Sequence, residues 1–475
     1  MNYEETLAYL FDLERFGIKL DLFNITFLMN RLGNPHLKFL SIHIAGSNGK
    51  GSVAAMLQSI LSVSGYRTGL YTSPHLVDFR ERIRIGDELI DKDFIVDFVT
   101  DLKEEIDKEG YTFFEVTTAL AFSYFAERKV DIAVLETGMG GRLDATNIVT
   151  PLISIITNIS LEHTDHLGIT LPQIAFEKAG IIKTEVPTIT AVDDPEVLQV
   201  IKNVCAERKS PLSVFNTDTR KFVAFSLIPP HPRLWRDFQP YPLPPGEREQ
   251  PRIKNKGIGI SEISAESPEV GTEMKIHKLS VDQTVFDFGP YKNLKLNLAG
   301  RHQVTNAGLA IFAIEKLKEM GWKIETKTFR SGLKEVNWRG RLEIFRKNPL
   351  TLLDVAHNPA GTKTLVDTLD ELFPQRKIIF IFGVMADKDY SSMLKQICRK
   401  AKFIILTKPD YKRAADPELL EKVLTNEIRP YEILPQVKQA YIFALKNAKS
   451  EDVICITGSH FTVGEFLSEK SEVGS

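Results

Sequence analysis

Cysteine is scarce in this 475-residue chain, which contains Cys205, Cys398 and Cys455 and no other cysteine. The three residues lie far apart in sequence, and none belongs to a C-x-x-C pair. This spacing excludes a disulfide framework and a cysteine zinc site. It predicts buried thiols in a protein that folds in a reducing compartment.

The chain also has no excess of charge of one sign, because its 60 basic residues nearly balance its 62 acidic residues. Balanced charge gives no electrostatic footprint for a polyanion, so neither a nucleic acid nor an anionic membrane is expected as a partner. The chain has no apolar run of 18 residues, and its N-terminus shows no signal-peptide pattern. We therefore expect a cytoplasmic protein that does not span a membrane.

What the chain does contain is a long alternation of apolar runs and helical patterns, which is typical of α/β proteins with a mainly parallel sheet. Strands are predicted in the first half at Leu40–Ala45, Asp131–Glu136, Leu152–Thr157 and Pro187–Ala191. Edge strands that close the first domain are predicted at Lys275–Val281, Thr284–Phe288 and Leu294–Leu298. A second series follows Gly300, with strands at Leu350–Val355, Lys377–Gly383, Phe403–Thr407 and Val453–Gly458.

Two domains are expected, because 475 residues exceed what one hydrophobic core usually supports. We assign residues 1–298 to a P-loop ATPase-like catalytic domain and residues 299–475 to a smaller, Rossmann-like C-terminal domain. The segment 226–255 interrupts the first domain, and seven prolines fall between Ile228 and Gly246. Such a segment cannot form a regular helix or a central strand, so we interpret it as a surface insertion without a function of its own.

Residues 41–53 carry the strongest functional signal in the sequence. An apolar strand ends in a glycine-rich turn, Gly46-Ser47-Asn48-Gly49-Lys50-Gly51-Ser52, and an amphipathic helix begins directly after it. This arrangement points backbone N–H groups and a helix N-terminus at phosphate oxygens. Lys50 can then reach the β- and γ-phosphates of ATP, while the Ser52 hydroxyl can face Mg²⁺. The alternative, a glycine-rich turn capped by Ser52, does not account for the lysine.

Three further residues are candidates for holding the metal. Glu136 ends an apolar strand and precedes Gly138, Gly140 and Gly141, which imply that something approaches the backbone closely. Its alternative is a solvated strand-end glutamate. His163 follows another strand, although a lone histidine is more often a hydrogen-bonded structural residue. Ser73 could bind metal or cap a turn, and by itself the cap is favoured.

Four residues farther along the chain are weaker candidates when each is taken alone. Lys178 would ordinarily be a lysine on a helix surface. Arg341 is a plausible phosphate clamp, and Asp354 and His357 are plausible nucleotide contacts. They share a placement in loops beside strand ends, where ligands of open α/β sheets bind.

Together these motifs resemble the folylpolyglutamate synthase/dihydrofolate synthase family, which is related to the Mur amino-acid ligases. The resemblance spans nearly the whole chain and is carried by the phosphate loop and by ten further segments: Thr72-Ser-Pro-His-Leu, Phe79-x-Glu-Arg-Ile, Phe113-Phe-Glu-x-x-Thr, Glu136-x-Gly-x-Gly-Gly-Arg-Leu-Asp-Ala-Thr-Asn, His163-x-x-x-Leu-Gly, Glu177-Lys-Ala-Gly-Ile, His302-Gln-x-x-Asn-Ala, Gly340-Arg-Leu-Glu, Asp354-x-Ala-His-Asn-Pro and Thr457-Gly-Ser. The chain departs from the family pattern at Ser47, at Glu162, at Gly458-Ser-His-Phe and in the proline-rich segment.

The resemblance implies roles for particular residues. Two Mg²⁺ ions would be held by Ser52, Ser73, Glu136 and His163, with Lys178 carbamylated to an anionic ligand. ATP would be bound by the phosphate loop (Gly46, Ser47, Asn48, Gly49, Lys50, Gly51, Ser52) and, from the second domain, by Asn306, Arg341, Asp354 and His357. Catalytic roles fall to Lys50, Lys178, Arg341 and His357. Thr112, Phe113, Phe114, Leu143, Asp144 and Ala145 would border the pterin pocket.

The implied activity is ATP-dependent addition of L-glutamate to a folate or dihydropteroate carboxylate through an acyl phosphate. The sequence does not separate a folylpolyglutamate synthase from a dihydrofolate synthase or from an enzyme with both activities. The alternatives are another Mur-like amino-acid ligase and a nucleotide-binding switch protein. A monomer that binds small molecules is expected.

Overall fold

The computed structural model describes residues 1–216, 221–225, 273–425, 427 and 429–468. The predicted proline-rich insertion lies outside these described residues. No helix in the described part is both long enough and apolar enough to cross a bilayer.

A large mixed sheet forms the centre of the first domain. Its strand order is β4-β3-β2-β5-β1-β6-β7-β8-β9, and the six strands from β2 to β8 in this order are parallel, whereas β3, β4 and β9 are antiparallel edges. The strands are β1 Leu40–Ala45, β2 Thr68–Tyr71, β3 Ile83–Ile85, β4 Glu88–Leu89, β5 Ile132–Glu136, β6 Ile153–Ile156, β7 Thr188–Thr190, β8 Leu212–Asn216 and β9 Lys221–Phe225. The predicted strands at β1, β5, β6 and β7 are therefore confirmed.

Helices cover both faces of this sheet, as strands that are buried on both faces require. One face buries a core beneath α1, α2, α4 and α5, and α3 lies on the other face. The helices are α1 Tyr3–Asp12, α2 Phe23–Arg31, α3 Lys50–Val63, α4 Lys92–Glu109, α5 Phe113–Glu127, α6 Thr164–Leu167, α7 Leu171–Ala179 and α8 Pro195–Glu207. Short 3₁₀ helices occur at Leu13–Phe16, Pro35–Leu37, Phe79–Arg82 and Ala145–Ile148.

The three strands predicted as edges that close the first domain form a separate antiparallel sheet instead. They are β10 Met274–Lys278, β11 Thr284–Phe288 and β12 Tyr291–Leu296, in the order β10-β11-β12. Their alternating apolar residues, such as Phe286 and Phe288, are fully buried in the core that contains α3. A period of two identifies one buried face, but it does not say which neighbour covers that face.

Two helices follow this sheet, α9 Arg301–Glu319 and α10 Thr326–Glu335. Both bury apolar side chains in the same core as α3, and the Ser59 hydroxyl of α3 donates to the Gly332 carbonyl of α10 (2.8 Å). The predicted boundary at residue 298 stays a prediction. Because of this packing, we propose a later boundary, in the linker 336–340.

The C-terminal domain is a six-stranded sheet in the order β13-β14-β18-β15-β16-β17, parallel except for β13. Its strands are β13 Arg341–Lys347, β14 Leu350–Asp354, β15 Ile378–Phe382, β16 Ala401–Leu406, β17 Tyr431–Ile433 and β18 Val453–Thr457. Helices on its two faces are α11 Pro359–Leu372, α12 Tyr390–Lys400, α13 Pro417–Leu424, α14 Val437–Asn447 and α15 His460–Ser468. The α/β fold class with two parallel-rich sheets is confirmed.

Candidate active site

The glycine-rich loop 46–52 joins the central strand β1 to α3 and is fixed by the end of β6. The backbone N–H of Ser47 donates to the Asn158 carbonyl, and that of Asn48 donates to Asn158 Oδ1, both at 2.9 Å. Thr157 Oγ1 donates to the Asn48 carbonyl (2.7 Å). The loop is therefore held in shape by the neighbouring strand before any ligand binds.

Lys50 and Ser52 lie in the first turn of α3. Lys50 Nζ donates to the carbonyl of Gly46 (2.9 Å) and to that of Ser47 (3.3 Å), so the ammonium lies over its own loop. Ser52 is buried, and its Oγ has no hydrogen-bond partner among the described residues. A buried hydroxyl without a partner is costly, which favours a ligand that it contacts when the site is filled.

Glu136 ends β5, the strand beside β1, and only 5% of the residue is exposed. Its Oε2 accepts from the Ser73 backbone N–H (3.3 Å), so two predicted metal ligands are adjacent. Burial raises the pKa of Glu136, while the charges of Lys50, Arg341 and Arg82 oppose the shift. Positive charges from both domains therefore favour the ionised form of this carboxylate.

Lys178 is not the surface lysine that its position on a helix would suggest, because the residue is 1% exposed. Its Nζ donates to Glu162 Oε1 (2.6 Å) and to the Gly46 carbonyl (3.0 Å). Burial lowers the pKa of Lys178, and the Glu162 carboxylate opposes this shift. Although burial alone would raise the pKa of Glu162, the charges of Lys178 and Lys50 hold it at about 2.

His163 lies one residue after Glu162, is exposed, and has a left-handed backbone (φ 48°) immediately before α6. Among the described residues, no group of three or more His, Cys, Asp or Glu side chains is placed to hold a metal ion. A divalent cation beside Glu136 would therefore need other oxygens, such as the Ser52 hydroxyl and the phosphates of ATP. This is the usual mode for Mg²⁺, which binds through one or two carboxylates together with phosphate and water.

The second domain brings Arg341 and Asp354 together as opposed residues of the antiparallel strands β13 and β14. Asp354 accepts hydrogen bonds from the backbone N–H groups of Leu342 (3.1 Å) and Ala356 (2.9 Å). Burial raises the pKa of Asp354 to about 6, against the charge of Arg341. Burial also lowers the pKa of Arg341, and Asp354 is the main opposing charge.

His357 follows the same strand, and its Nδ1 lies 2.9 Å from the Val355 carbonyl oxygen. A carbonyl can only accept, so Nδ1 carries the proton of this hydrogen bond. The ring of His460, the first residue of α15, lies 5.1 Å from the ring of His357.

Contacts between the two domains meet at the phosphate loop. Asn358 Nδ2 donates to Asn48 Oδ1 (3.0 Å), although the two residues are 310 positions apart. Asn306 Oδ1 lies so close to Gly49 that a Cβ there would approach it to 2.6 Å, and Gly49 also has a positive φ of 87°. Only glycine meets both requirements. The predicted loop therefore packs against Asn306 of α9, which shares the core of α3, and against Asn358 of the C-terminal domain.

The first residues predicted to border the pterin pocket, Thr112, Phe113 and Phe114, lie at the start of α5. Thr112 caps this helix through a hydrogen bond from the Glu115 N–H to its Oγ1 (3.2 Å), and Phe113 stacks on Phe11 with centroids 5.7 Å apart. The Phe114 ring lies 6.0 Å from the Tyr71 ring and leaves no room for a Cβ at Gly138.

The second segment predicted to border the pterin pocket, residues 143–145, contains the buried residue Asp144, which bonds to its own loop. Asp144 Oδ2 accepts from the N–H groups of Gly138 and Met139, both at 2.9 Å, and Oδ1 accepts from Thr146. The carboxylate therefore supports the loop that follows Glu136. Ala145 is buried, and Leu143 is half-buried. Direct contact of these residues with substrate stays a prediction.

Arg82, His75, Trp338 and His460 lie beside the predicted residues, and sequence reasoning assigned none of them a role. Trp338 packs on the phosphate-loop helix, where a Cβ on Gly51 would come within 2.8 Å of its ring. Arg82 and His75 belong to two of the family motifs quoted above, and this membership could have marked them as candidate site residues. A motif marks a position without saying which way its side chain points.

Similarity to known proteins agrees with this arrangement. The Mur ligase middle domain matches residues 44–227, and the glutamate ligase domain of Mur ligases matches residues 340–460. The chain is 32% identical to the dihydrofolate synthase/folylpolyglutamate synthase of Bacillus subtilis, over 98% of both chains.

Two solved structures cover the chain almost completely. The folylpolyglutamate synthase of Thermotoga maritima has a TM-score of 0.76 and 33% identity, with 100% of this chain and 97% of that chain covered. The Escherichia coli FolC complex with DHPP and ADP has a TM-score of 0.77 and 26% identity, covering 99% and 98%. By these likenesses, the chain belongs to the folylpolyglutamate synthase/dihydrofolate synthase family of ATP-dependent Mur-type ligases.

Proposed function

We propose that this ligase adds L-glutamate to dihydropteroate and to reduced folates in a single site. The proposal is supported by the end-to-end match to a relative whose name carries both activities. The structural observation that carries it is the hydrogen bond between Asn358 and Asn48, which joins the second domain to the phosphate loop. A ligase needs such a two-sided site, whereas a nucleotide switch needs only the phosphate loop.

The chemistry follows from the poor reactivity of a carboxylate toward amines. A carboxylate oxygen attacks the γ-phosphorus of ATP, the bond to the β-bridging oxygen breaks, and ADP leaves. The glutamate amine then attacks the acyl carbon of the acyl phosphate and loses a proton. The carbon–oxygen bond to phosphate breaks as the amide forms. Lys50 and Arg341 are the cations that would stabilise the transferring phosphoryl group.

Closure between the domains serves this reaction because an acyl phosphate hydrolyses in water. Two contacts hold the domains together near the site: Asn358 donates to Asn48 of the glycine-rich loop, and Gly464 approaches the Leu76 carbonyl. A Cβ on Gly464 would lie 2.0 Å from that carbonyl oxygen, so only glycine lets α15 come this close. Exclusion of water is a general role of such closure.

We place Mg²⁺ beside Glu136, with Ser52, Ser73 and His163 as further ligands for two ions. The unpartnered, buried Ser52 hydroxyl and the buried Glu136 carboxylate are hard oxygen donors of the kind that Mg²⁺ prefers. When bound, the metal would supply electrostatic stabilisation of phosphate charge. Magnesium-dependent quenching of protein fluorescence in the presence of ADP, absent in Glu136→Gln, would test this placement.

Lys178 is proposed to be carbamylated in the active enzyme. The neutral amine would attack CO₂, forming an N–C bond and losing a proton, so that a cation becomes an anion. Burial favours the neutral amine, whereas the ion pair with Glu162 competes with it. Carbon-13 NMR of native protein in labelled bicarbonate should show a carbamate signal that Lys178→Ala lacks. Full activity without CO₂ and without this signal would contradict the proposal.

The substrate panel that tests the proposed function contains dihydropteroate, tetrahydrofolate and its one-carbon forms, each with ATP and labelled glutamate. We expect amide formation with both substrate classes and stoichiometric ADP. Turnover of folates alone would reduce the function to a folylpolyglutamate synthase, and turnover of neither would point to another Mur-type ligase. A monomeric state and a cytoplasmic location stay predictions, and sedimentation velocity tests the first.

A further inference from the structure

His43 lies in the middle of β1, the strand that leads into the phosphate loop, and its side chain is buried in the sheet. A polar ring at the centre of a parallel sheet needs a hydrogen-bond partner, because both faces of such a sheet are covered. Nε2 of His43 lies 2.8 Å from Oγ1 of Thr146, a residue 103 positions away in the loop that follows β5. Burial lowers the pKa of His43 to about 3, so the ring is neutral.

The direction of this hydrogen bond follows from the next one in the chain. Thr146 Oγ1 donates to Oδ1 of Asp144, and the backbone N–H of Thr146 donates to the same oxygen (3.0 Å). Because a hydroxyl has a single proton, Thr146 Oγ1 accepts from His43, which therefore carries its proton on Nε2. Nδ1 of His43 is buried and has no hydrogen-bond partner among the residues that the structure describes.

Asp144 passes this restraint to the backbone that follows Glu136. Its Oδ2 accepts from the N–H groups of Gly138 and Met139, both at 2.9 Å. Burial raises the pKa of Asp144, whereas its hydrogen bonds from Thr146, Met139 and Gly138 favour the ionised form, which accepts from all of them. A continuous series of hydrogen bonds therefore joins the centre of β1 to the start of the loop after β5.

The restrained loop lies against a residue that is predicted to border the pterin pocket. A Cβ on Gly138 would come within 2.5 Å of the Phe114 ring, so the loop backbone and this ring are in direct contact. The phosphate loop, by contrast, is fixed separately by Asn158 and Thr157. A displacement of the loop after β5 should therefore alter the pterin pocket and leave the nucleotide site in place.

We propose that His43 is a positioning residue for the pterin substrate, which acts through Thr146 and Asp144 on the loop 137–145. This inference rests on the proposed function and adds a residue that would act without touching the substrate. Hydrogen bonds in such a network polarise one another at low dielectric, so the loss of the first bond weakens the last.

The test compares His43→Gln with His43→Asn in steady-state kinetics with dihydropteroate or tetrahydrofolate, whichever the wild type turns over. Glutamine carries an amide nitrogen near the position of Nε2 and can donate to Thr146, whereas asparagine is one methylene shorter and reaches only the position of Nδ1. His43→Asn should raise the KM for the pterin substrate roughly 10-fold and leave kcat and ADP affinity within about twofold. His43→Gln should keep this KM within about twofold of the wild-type value.

Thr146→Val removes the hydroxyl, keeps the shape of the side chain, and should raise the same KM by a similar factor. It also carries the test if His43→Asn is too unstable to assay. The double variant His43→Asn/Thr146→Val should show no further increase, because both changes interrupt one series of hydrogen bonds. Ser41→Ala, at a buried position two residues earlier in β1, is the matched control and should behave like the wild type.

An unchanged KM in His43→Asn would overturn the proposal. Equal increases in His43→Asn and His43→Gln would also overturn it, because the ring would then act through its volume and not through its proton. Additive effects in the double variant, or a loss of kcat without a change in KM, would do the same. If the wild type forms no amide with either pterin substrate, the proposed function itself fails, and that result precedes any variant.

Discussion

The two walls of the cleft differ in what holds them. On the phosphate-loop wall, backbone groups and neutral side chains bond to Asn158 and Thr157 over short distances within one sheet. On the second-domain wall, Arg341 and Asp354 oppose each other as partly buried charges. The first wall is preorganised by neutral hydrogen bonds, whereas the second wall is maintained by a balance between desolvation and Coulomb attraction.

This difference predicts that substitutions on the two walls will affect catalysis and stability differently. Removing a charge from the phosphate loop should impair phosphoryl transfer and leave folding intact, since the loop is held by other groups. Removing a charge from the second wall should alter both, because its partner is then left unpaired. Four changes test this difference, and they follow in order of decreasing expected effect.

Lys50→Ala should lower kcat on the order of 10³-fold, because the ammonium interacts most strongly with the charge of the transferring phosphoryl group. Among the residues that the structure describes, its ammonium donates to carbonyls of its own loop, so the thermal midpoint should not change. Steady-state ADP release and a thermal melt measure the two effects. Lys395→Ala, at an exposed position of α12, is the control. A loss of only a few-fold would remove Lys50 from the phosphoryl-transfer machinery.

Arg341→Ala should lower kcat on the order of 10²-fold and should also lower the thermal midpoint, since Asp354 loses its opposite charge. Transfer of ¹⁸O from labelled substrate carboxylate into phosphate isolates the chemical step. Arg339→Ala removes an exposed arginine two residues earlier, paired with Glu343 at 3.4 Å, and should behave like the wild type. Normal ¹⁸O transfer in Arg341→Ala would contradict its role.

Asp354→Asn should change how stability depends on pH. The pKa of Asp354 is raised to about 6 by burial, so the folded state holds the proton more tightly than the unfolded state. The stabilisation is complete below the ordinary pKa of an aspartate and is lost as pH rises through about 6. The thermal midpoint of the wild type should fall from pH 4 to 7 relative to Asp354→Asn. Asp367→Asn, at an exposed position, should show no such difference; parallel curves for Asp354→Asn would contradict the shift.

Deletion of residues 229–245, joined by a short Gly/Ser linker, should have the smallest effect. The segment lies outside the described residues, and surface insertions contribute little to the free energy of unfolding. We expect kcat to change by less than about twofold and the thermal midpoint to change by less than about 3 °C. Aggregation or loss of activity would show that Trp235 or Phe238 packs against the rest of the protein.

Several features of the site could be predicted because they depend on neighbours in sequence. The strand, the glycines, Lys50 and Ser52 are contiguous, so one window contains the whole phosphate loop. Glu136 was recognisable as the last residue of a buried strand. The sheet formed by β10, β11 and β12 was placed wrongly, since alternation identifies a buried face without identifying the element that covers it.

Lys178 shows where the sequence was insufficient. Nothing near residue 178 indicates that Glu162, 16 positions earlier, supplies its partner, or that Gly46, 132 positions earlier, accepts its second hydrogen bond. The predicted contact of Asp144 with the substrate stays a prediction, although its carboxylate accepts hydrogen bonds from backbone N–H groups of its own loop, which the sequence did not indicate.

The α/β class, the family and the strand–loop–helix unit at residues 40–63 could be predicted from the sequence, because hydrophobic periodicity and contiguous motifs are local properties. The contact of Asn358 with Asn48 and the burial of Lys178 beside Glu162 depend on tertiary packing. Burial and the pairing of charges depend on which distant strands become neighbours. That choice is made by the packing of the whole core, in which residues hundreds of positions apart lose contact with water together.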